Sequence, residues 1–129
     1  MTLYDRREFL TAAAAVSLAI PAARGQSAGA MYGLIGKISA TPGQRDALAA
    51  ILLEGNQAMP GCLSYIVATD PVDASALWVT EVWDSLASHV ASLALPSVRA
   101  AIAKGRPLIA GFSNRAETTP IGGIGLPRK

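Results

Sequence analysis

The chain has 129 residues, 51% of them hydrophobic and 16% charged, with a formal charge of +2, one Cys and one His. So small a charge leaves no electrostatic footprint for nucleic acid or anionic lipid, and the lone Cys62 excludes an internal disulfide.

The opening Asp5-Arg6-Arg7-Glu8-Phe9-Leu10 is a polar head with paired arginines, followed by an apolar run from Thr11 to Ile20 that stops at Pro21. A pair placed just before a short Ala-rich run is the twin-arginine export pattern. The run falls well short of the about 20 apolar residues that a spanning helix needs, so no stable membrane anchor is expected. Residues 1–30 are therefore expected to be a removable targeting segment, with the working protein periplasmic or secreted. Cleavage fits after Gly25 or after Ala30, and no Cys sits near either to accept a lipid. Removal of that segment leaves eight basic residues against seven acidic ones. The remainder, about 100 residues, is one small domain with little interior of its own, and association with a second copy is expected.

Met31 to Ala40 carries apolar residues on both parities and is expected to be a strand. Thr41-Pro42-Gly43-Gln44 combines an N-cap Thr, Pro at the first helical position and Gln three residues after the cap, which predicts a helix start. Leu48, Ile51 and Leu52 give that helix an apolar stripe, and Pro60-Gly61 ends it within a residue or two. Cys62 to Thr69 and Ala76 to Trp83 are predicted strands, joined into a hairpin by the turn-favouring Asp70-Pro71-Val72-Asp73. Asp84-Ser85 caps a helix with Leu86, Val90 and Leu93 inward, interrupted at Pro96. A second helical piece with Val98, Ala101 and Ile102 inward ends at Gly105. Leu108 to Phe112 is the expected fourth strand, within a domain spanning 31–117, and residues 118–129 form a Gly- and Pro-containing arm.

Strand, helix, strand, strand, helix, strand is the order of the split βαβ, or ferredoxin-like, α+β fold, a four-stranded antiparallel sheet with both helices on one face. The other face is left bare. Apolar residues on both parities of the second and third strands argue that a second copy packs on it, sheet to sheet, as a dimeric α/β-barrel.

Glu81-Val82-Trp83-Asp84-Ser85, then Ser88-His89, Leu95-Pro96-Ser97-Val98 and Pro107-Leu108-Ile109, with Pro60-Gly61 before the second strand, resemble the antibiotic-biosynthesis-monooxygenase family, including its quinol-monooxygenase-like members. The resemblance covers about Met31 to Arg115. It implies a ferredoxin-like homodimer, and for several members the oxidation of electron-rich aromatics such as quinols or anthrones by molecular oxygen with neither metal nor flavin. A haem-degrading branch uses an Asn on strand one, which Tyr32-Gly33-Leu34-Ile35-Gly36-Lys37 lacks.

Within this frame His89 is the only side chain that ordinarily exchanges a proton near neutrality, and its helical spacing beside Leu86, Val90 and Leu93 is expected to turn it toward the sheet. Two roles are open to it: general base, or a structural His bonded to a backbone carbonyl or to Glu81. Trp78 and Trp83 differ in parity and point to opposite faces, with Trp83 the preferred pocket wall. Tyr65 is a second wall residue and hydrogen-bond donor, and Glu81 an orienter of the imidazole. Cys62 reads as a small apolar filler. One His and one Cys in different elements do not make a metal site, and Gly122-Gly123-Ile124-Gly125 has no following helix to hold a phosphate. No cofactor is expected. The resulting expectation is an exported, cofactor-independent monooxygenase acting on a small hydroxylated aromatic, with His89 catalytic and Trp83, Tyr65 and Glu81 binding substrate. The rival is a non-catalytic dimeric binding or stress-response protein that holds a small hydrophobic ligand.

Overall fold

The computed structural model describes residues 29–127; the arginine pair, the apolar run and the first cleavage position lie outside the described residues. The elements are β1 (Tyr32–Ala40), α1 (Arg45–Gly55), β2 (Cys62–Thr69), β3 (Ala76–Trp83), α2 (Leu86–Ser92), α3 (Pro96–Gly105), a 3-10 turn (Arg106–Leu108) and β4 (Ile109–Thr118). All strand pairs are antiparallel and the sheet order is β2-β3-β1-β4. This is the expected ferredoxin-like arrangement.

Several local expectations change. Thr41-Pro42-Gly43-Gln44 is a turn rather than a capping box: Gln44 N donates to Thr41 O at 3.0 Å, and Gly43 has φ +77. Pro followed by a residue of positive φ makes a type II turn, so α1 starts only at Arg45 and takes no side-chain cap from Gln44. It also ends early, at Gly55. Asn56 Nδ2 donates back to Leu52 O at 2.6 Å, which satisfies one of the terminal carbonyls and lets the chain leave the helix well before Pro60.

The Asp70 turn forms as expected, because Asp70 Oδ1 accepts from Val72 N and Asp73 N at 2.9 and 2.8 Å. Ser85 is the N-cap of α2, its hydroxyl accepting from Ser88 N at 3.1 Å. The inward face of α2 differs from the expected stripe: Leu86, His89 and Ser92 are buried, whereas Val90 is exposed.

Cross-strand register sorts the sheet into rows. Tyr65, Glu81 and Leu34 form one row under the helices, and Trp83 pairs with Tyr32 in the next. Ile38, Leu77, Val79 and Ile109 pack with Leu48 of α1, while Tyr32, Trp83 and Met59 pack with Leu86 and Val98 of α2 and α3. The opposite rows, Ser64–Val82–Gly33, Ile66–Thr80–Ile35 and Ala68–Trp78–Lys37, have no helix over them, and Ile66 is 54% exposed. Trp78 is held there by Asp70 Oδ2, which accepts its Nε1 at 2.9 Å. Among the described residues no single helix is long and apolar enough to cross a membrane.

β4 runs on to Thr118 instead of stopping at Phe112. The pairing with β1 is broken between Ile35 and Lys37, where Asn114 adopts φ +52. Two β4 residues, Asn114 and Arg115, thus stand opposite the single Gly36 as a bulge. The extra residue flips parity. Phe112 packs under the helices, and beyond the bulge Arg115 also lines the cavity on that side.

Candidate functional site

Between the sheet and the three helices lies a cavity of about 170 Å³. Leu34, Leu48, Leu52, Met59, Ile102 and Phe112 make much of its wall apolar. Glu81, His89, Tyr65 and Arg115 are among its polar groups, with Lys37, Asn56, Ser92 and Ser113. All four residues expected at the site, His89, Trp83, Tyr65 and Glu81, line this one cavity.

Their arrangement differs from expectation in one respect. Glu81 does not orient the imidazole: its Oε1 accepts from Trp83 Nε1 at 3.0 Å. His89 is buried and its Nδ1 has no hydrogen-bond partner, so neither Glu81 nor a backbone carbonyl holds that nitrogen. Packing holds the ring instead. Its centroid lies 5.1 Å from that of Tyr32 and 5.4 Å from that of Trp83, the latter edge to face. Ser92 Oγ donates to the backbone carbonyl of His89 at 2.6 Å.

Burial sets the protonation states. Loss of solvent, and then the charge of Arg115, pushes His89 down to about 4, so the imidazole is neutral at pH 7. Loss of solvent pushes Glu81 up to about 7, against the opposing pull of the Trp83 hydrogen bond and Arg115. Burial, followed by the charge of Glu81, raises Tyr65 and keeps it a hydroxyl donor. Cys62 is raised for the same two reasons, with its Sγ 3.6 Å from Ser64 O, which fits the filler reading.

Three groups were missed from sequence: Tyr32, Arg115 and Glu117. Tyr32 OH donates to Glu117 Oε2 at 2.8 Å, and Arg115 Nη1 donates to Glu117 Oε1 at 3.3 Å. Glu117 therefore ties β1 to β4 and restrains Arg115 at the cavity wall. The signal was obscure, because Arg115 and Glu117 fall beyond the expected strand end and acquire their parity from the bulge. Among the described residues no three His, Cys, Asp or Glu side chains converge as metal ligands.

The family model described as antibiotic biosynthesis monooxygenase matches residues 31–104. Among solved structures, a candidate antibiotic biosynthesis monooxygenase from Chloroflexus aurantiacus J-10-fl is 67% identical over 75% of this chain and 99% of its own, with a TM-score of 0.74. A candidate of the same name from Caulobacter crescentus CB15 is 18% identical over 73% of this chain and 92% of its own, with a TM-score of 0.66. PA3566 from Pseudomonas aeruginosa is 20% identical over 75% of this chain and all of its own, with a TM-score of 0.64. The last two share the fold. No curated protein matches.

Proposed function

Because the chain belongs to the antibiotic biosynthesis monooxygenase family, which supports a general monooxygenase-like role, we propose that it oxidises a small hydroxylated, quinol-like aromatic with molecular oxygen and without a cofactor. The observation that carries this reading is the largely apolar cavity with Glu81, His89 and Arg115 in its wall. Dioxygen in its triplet ground state reacts sluggishly with closed-shell molecules. A phenol that has lost its proton is electron-rich enough to pass one electron to it, and the resulting radical pair can then combine. For a quinol, one oxygen atom stays on the ring and the other leaves as water, with all four electrons drawn from the substrate.

The protein's part is to bind, orient, exclude water and accept the hydroxyl proton. Trp83 and Tyr65 serve as walls, with Tyr65 able to donate to a substrate oxygen, while His89 and Glu81 are the two groups that can take up a proton. The test is oxygen consumption by the mature protein with hydroquinones, catechols and anthrones. Uptake that depends on both protein and substrate supports the reading. Tight binding without uptake by any member of the panel replaces it with the ligand-holding protein.

The working form is proposed to be a homodimer joined through the uncovered sheet face, where Ile35, Ile66 and Val82 lie, and to act after twin-arginine export. Replacing Arg6 and Arg7 with lysine should leave the chain uncut in the cytoplasm; unchanged periplasmic yield would refute the export.

A further inference from the structure

The cavity holds two groups able to accept a proton, and their surroundings are unequal. His89 is wedged between the Tyr32 and Trp83 rings, with Nδ1 buried and unpartnered. Glu81 lies in the middle of the Tyr65–Glu81–Leu34 row. The Trp83 indole anchors its Oε1 at 3.0 Å, and among the described residues its Oε2 takes no hydrogen bond. One carboxylate oxygen is thus fixed while the other remains open to a ligand. Arg115 is turned to the same cavity by the bulge at Asn114 and restrained by Glu117.

The size of the space bears on the ligand. About 170 Å³ is close to the roughly 150 Å³ of an engineered apolar cavity that binds benzene. One ring with one or two small substituents fits.

We propose that Glu81 is the residue that takes the hydroxyl proton from a single-ring phenol seated in this cavity, and that Arg115 faces the oxygen anion left behind. The phenolic O–H bond breaks, the proton moves to Glu81 Oε2, and the electron pair stays on the substrate oxygen. This deepens the monooxygenase reading and rests on it for what happens next. Titration agrees with the geometry: a carboxyl poised at about 7 is better matched to proton transfer at neutral pH than an imidazole at about 4. Tyr65 and Cys62 on β2, Tyr32 on β1 and Arg115 on β4 act on Glu81; His89 on α2 lines the same cavity, and Glu117 on β4 is paired to Tyr32 and Arg115. Lys37 is drawn away to Asp70 and Asp73, and the cavity-lining residues of α1 and α3 are uncharged.

Two measurements on the mature protein and its Glu81→Gln, Glu81→Asp and His89→Gln variants test this. Gln at position 81 keeps an oxygen for the Trp83 indole. In oxygen uptake with a single-ring hydroquinone, the parent rate should rise with pH through about 7. Glu81→Gln should remove that limb and lower the rate by about 10²- to 10⁴-fold, Glu81→Asp should recover part of it, and His89→Gln should keep the limb. Retention of the limb in Glu81→Gln, or its loss in His89→Gln alone, overturns the assignment. The second measurement needs no turnover: calorimetry of 4-nitrophenol binding at pH 8 in two buffers of different ionisation enthalpy. Probe and Glu81 are then both mostly ionised in the free state, so the parent should take up close to one proton per probe bound, and Glu81→Gln should take up almost none. Equal proton counts in the two proteins overturn the proposal, as does failure of the probe to bind the parent. Proton uptake by the parent without oxygen consumption sustains Glu81 as the acceptor and refutes the monooxygenase reading alone.

Discussion

Substituting Glu81 by Gln should make the protein less sensitive to alkaline pH, by an amount that follows from its surroundings. The carboxyl is moved from an ordinary 4.5 to about 7 in the folded chain. A raised acid binds its proton more tightly when folded, so the stabilisation is full below 4.5 and is lost as pH rises through 7. One pH unit corresponds to 1.36 kcal/mol, so the whole change is about 3 kcal/mol, most of it between pH 5 and 8. His89 runs the other way. Moved from 6.5 down to about 4, it contributes stability that is full above 6.5 and is lost as pH falls through 4. The parent should therefore be most stable near pH 5.5, where the two slopes cancel. Urea unfolding of parent and Glu81→Gln at fixed protein concentration, from pH 5 to 8, isolates the carboxyl, because every other titrating group is common to both chains. The stability difference should move by about 2.5 kcal/mol in favour of Glu81→Gln across that range. A difference that stays constant with pH would refute the idea that Glu81 is held in a poorly solvated cavity.

Gly61→Ala should destabilise the fold by at least about 1 kcal/mol in urea unfolding, because Gly61 has φ +84 and an added Cβ would run into the Ser88 side chain. It should also weaken ligand binding, since Ser88 precedes His89 on α2. Tyr32→Phe removes a 2.8 Å hydrogen bond to Glu117 and should cost about 1.5–3 kcal/mol, as for bonds to charged groups; a loss below 0.5 kcal/mol would show that the carboxylate simply turns to water. The mature protein should sediment as a dimer at micromolar concentration and Ile66→Asp as a monomer; a well-folded parent monomer would refute pairing through the uncovered face.

The elements most readable from sequence were those with two agreeing local signals. β2 and β3 are short apolar-rich runs joined by an Asp-Pro turn whose carboxylate binds its own backbone, and Ser85 caps α2 with its own hydroxyl. At Thr41 the residue types suited either a capping box or a type II turn, and the left-handed preference of Gly43 decided for the turn. Parity separated Trp78 from Trp83 correctly, because β3 is regular over that stretch. It could not find Arg115, because one residue in the bulge at Asn114 reverses which face the rest of β4 presents. His89 was singled out for its ordinary pKa. Burial changes that value and raises Glu81 into the range that His89 leaves, a reversal that depends on three-dimensional desolvation and has no counterpart in residue spacing.

This cavity is proposed as the site of an oxygen-dependent oxidation of a small phenol. The most direct measurement is oxygen consumption by purified mature protein with a methyl-substituted hydroquinone, followed by mass analysis of the product made under ¹⁸O₂. Uptake should saturate with substrate, and the ring product should carry one labelled oxygen atom. Uptake no faster than the buffer control, or a product without label, would contradict that proposal.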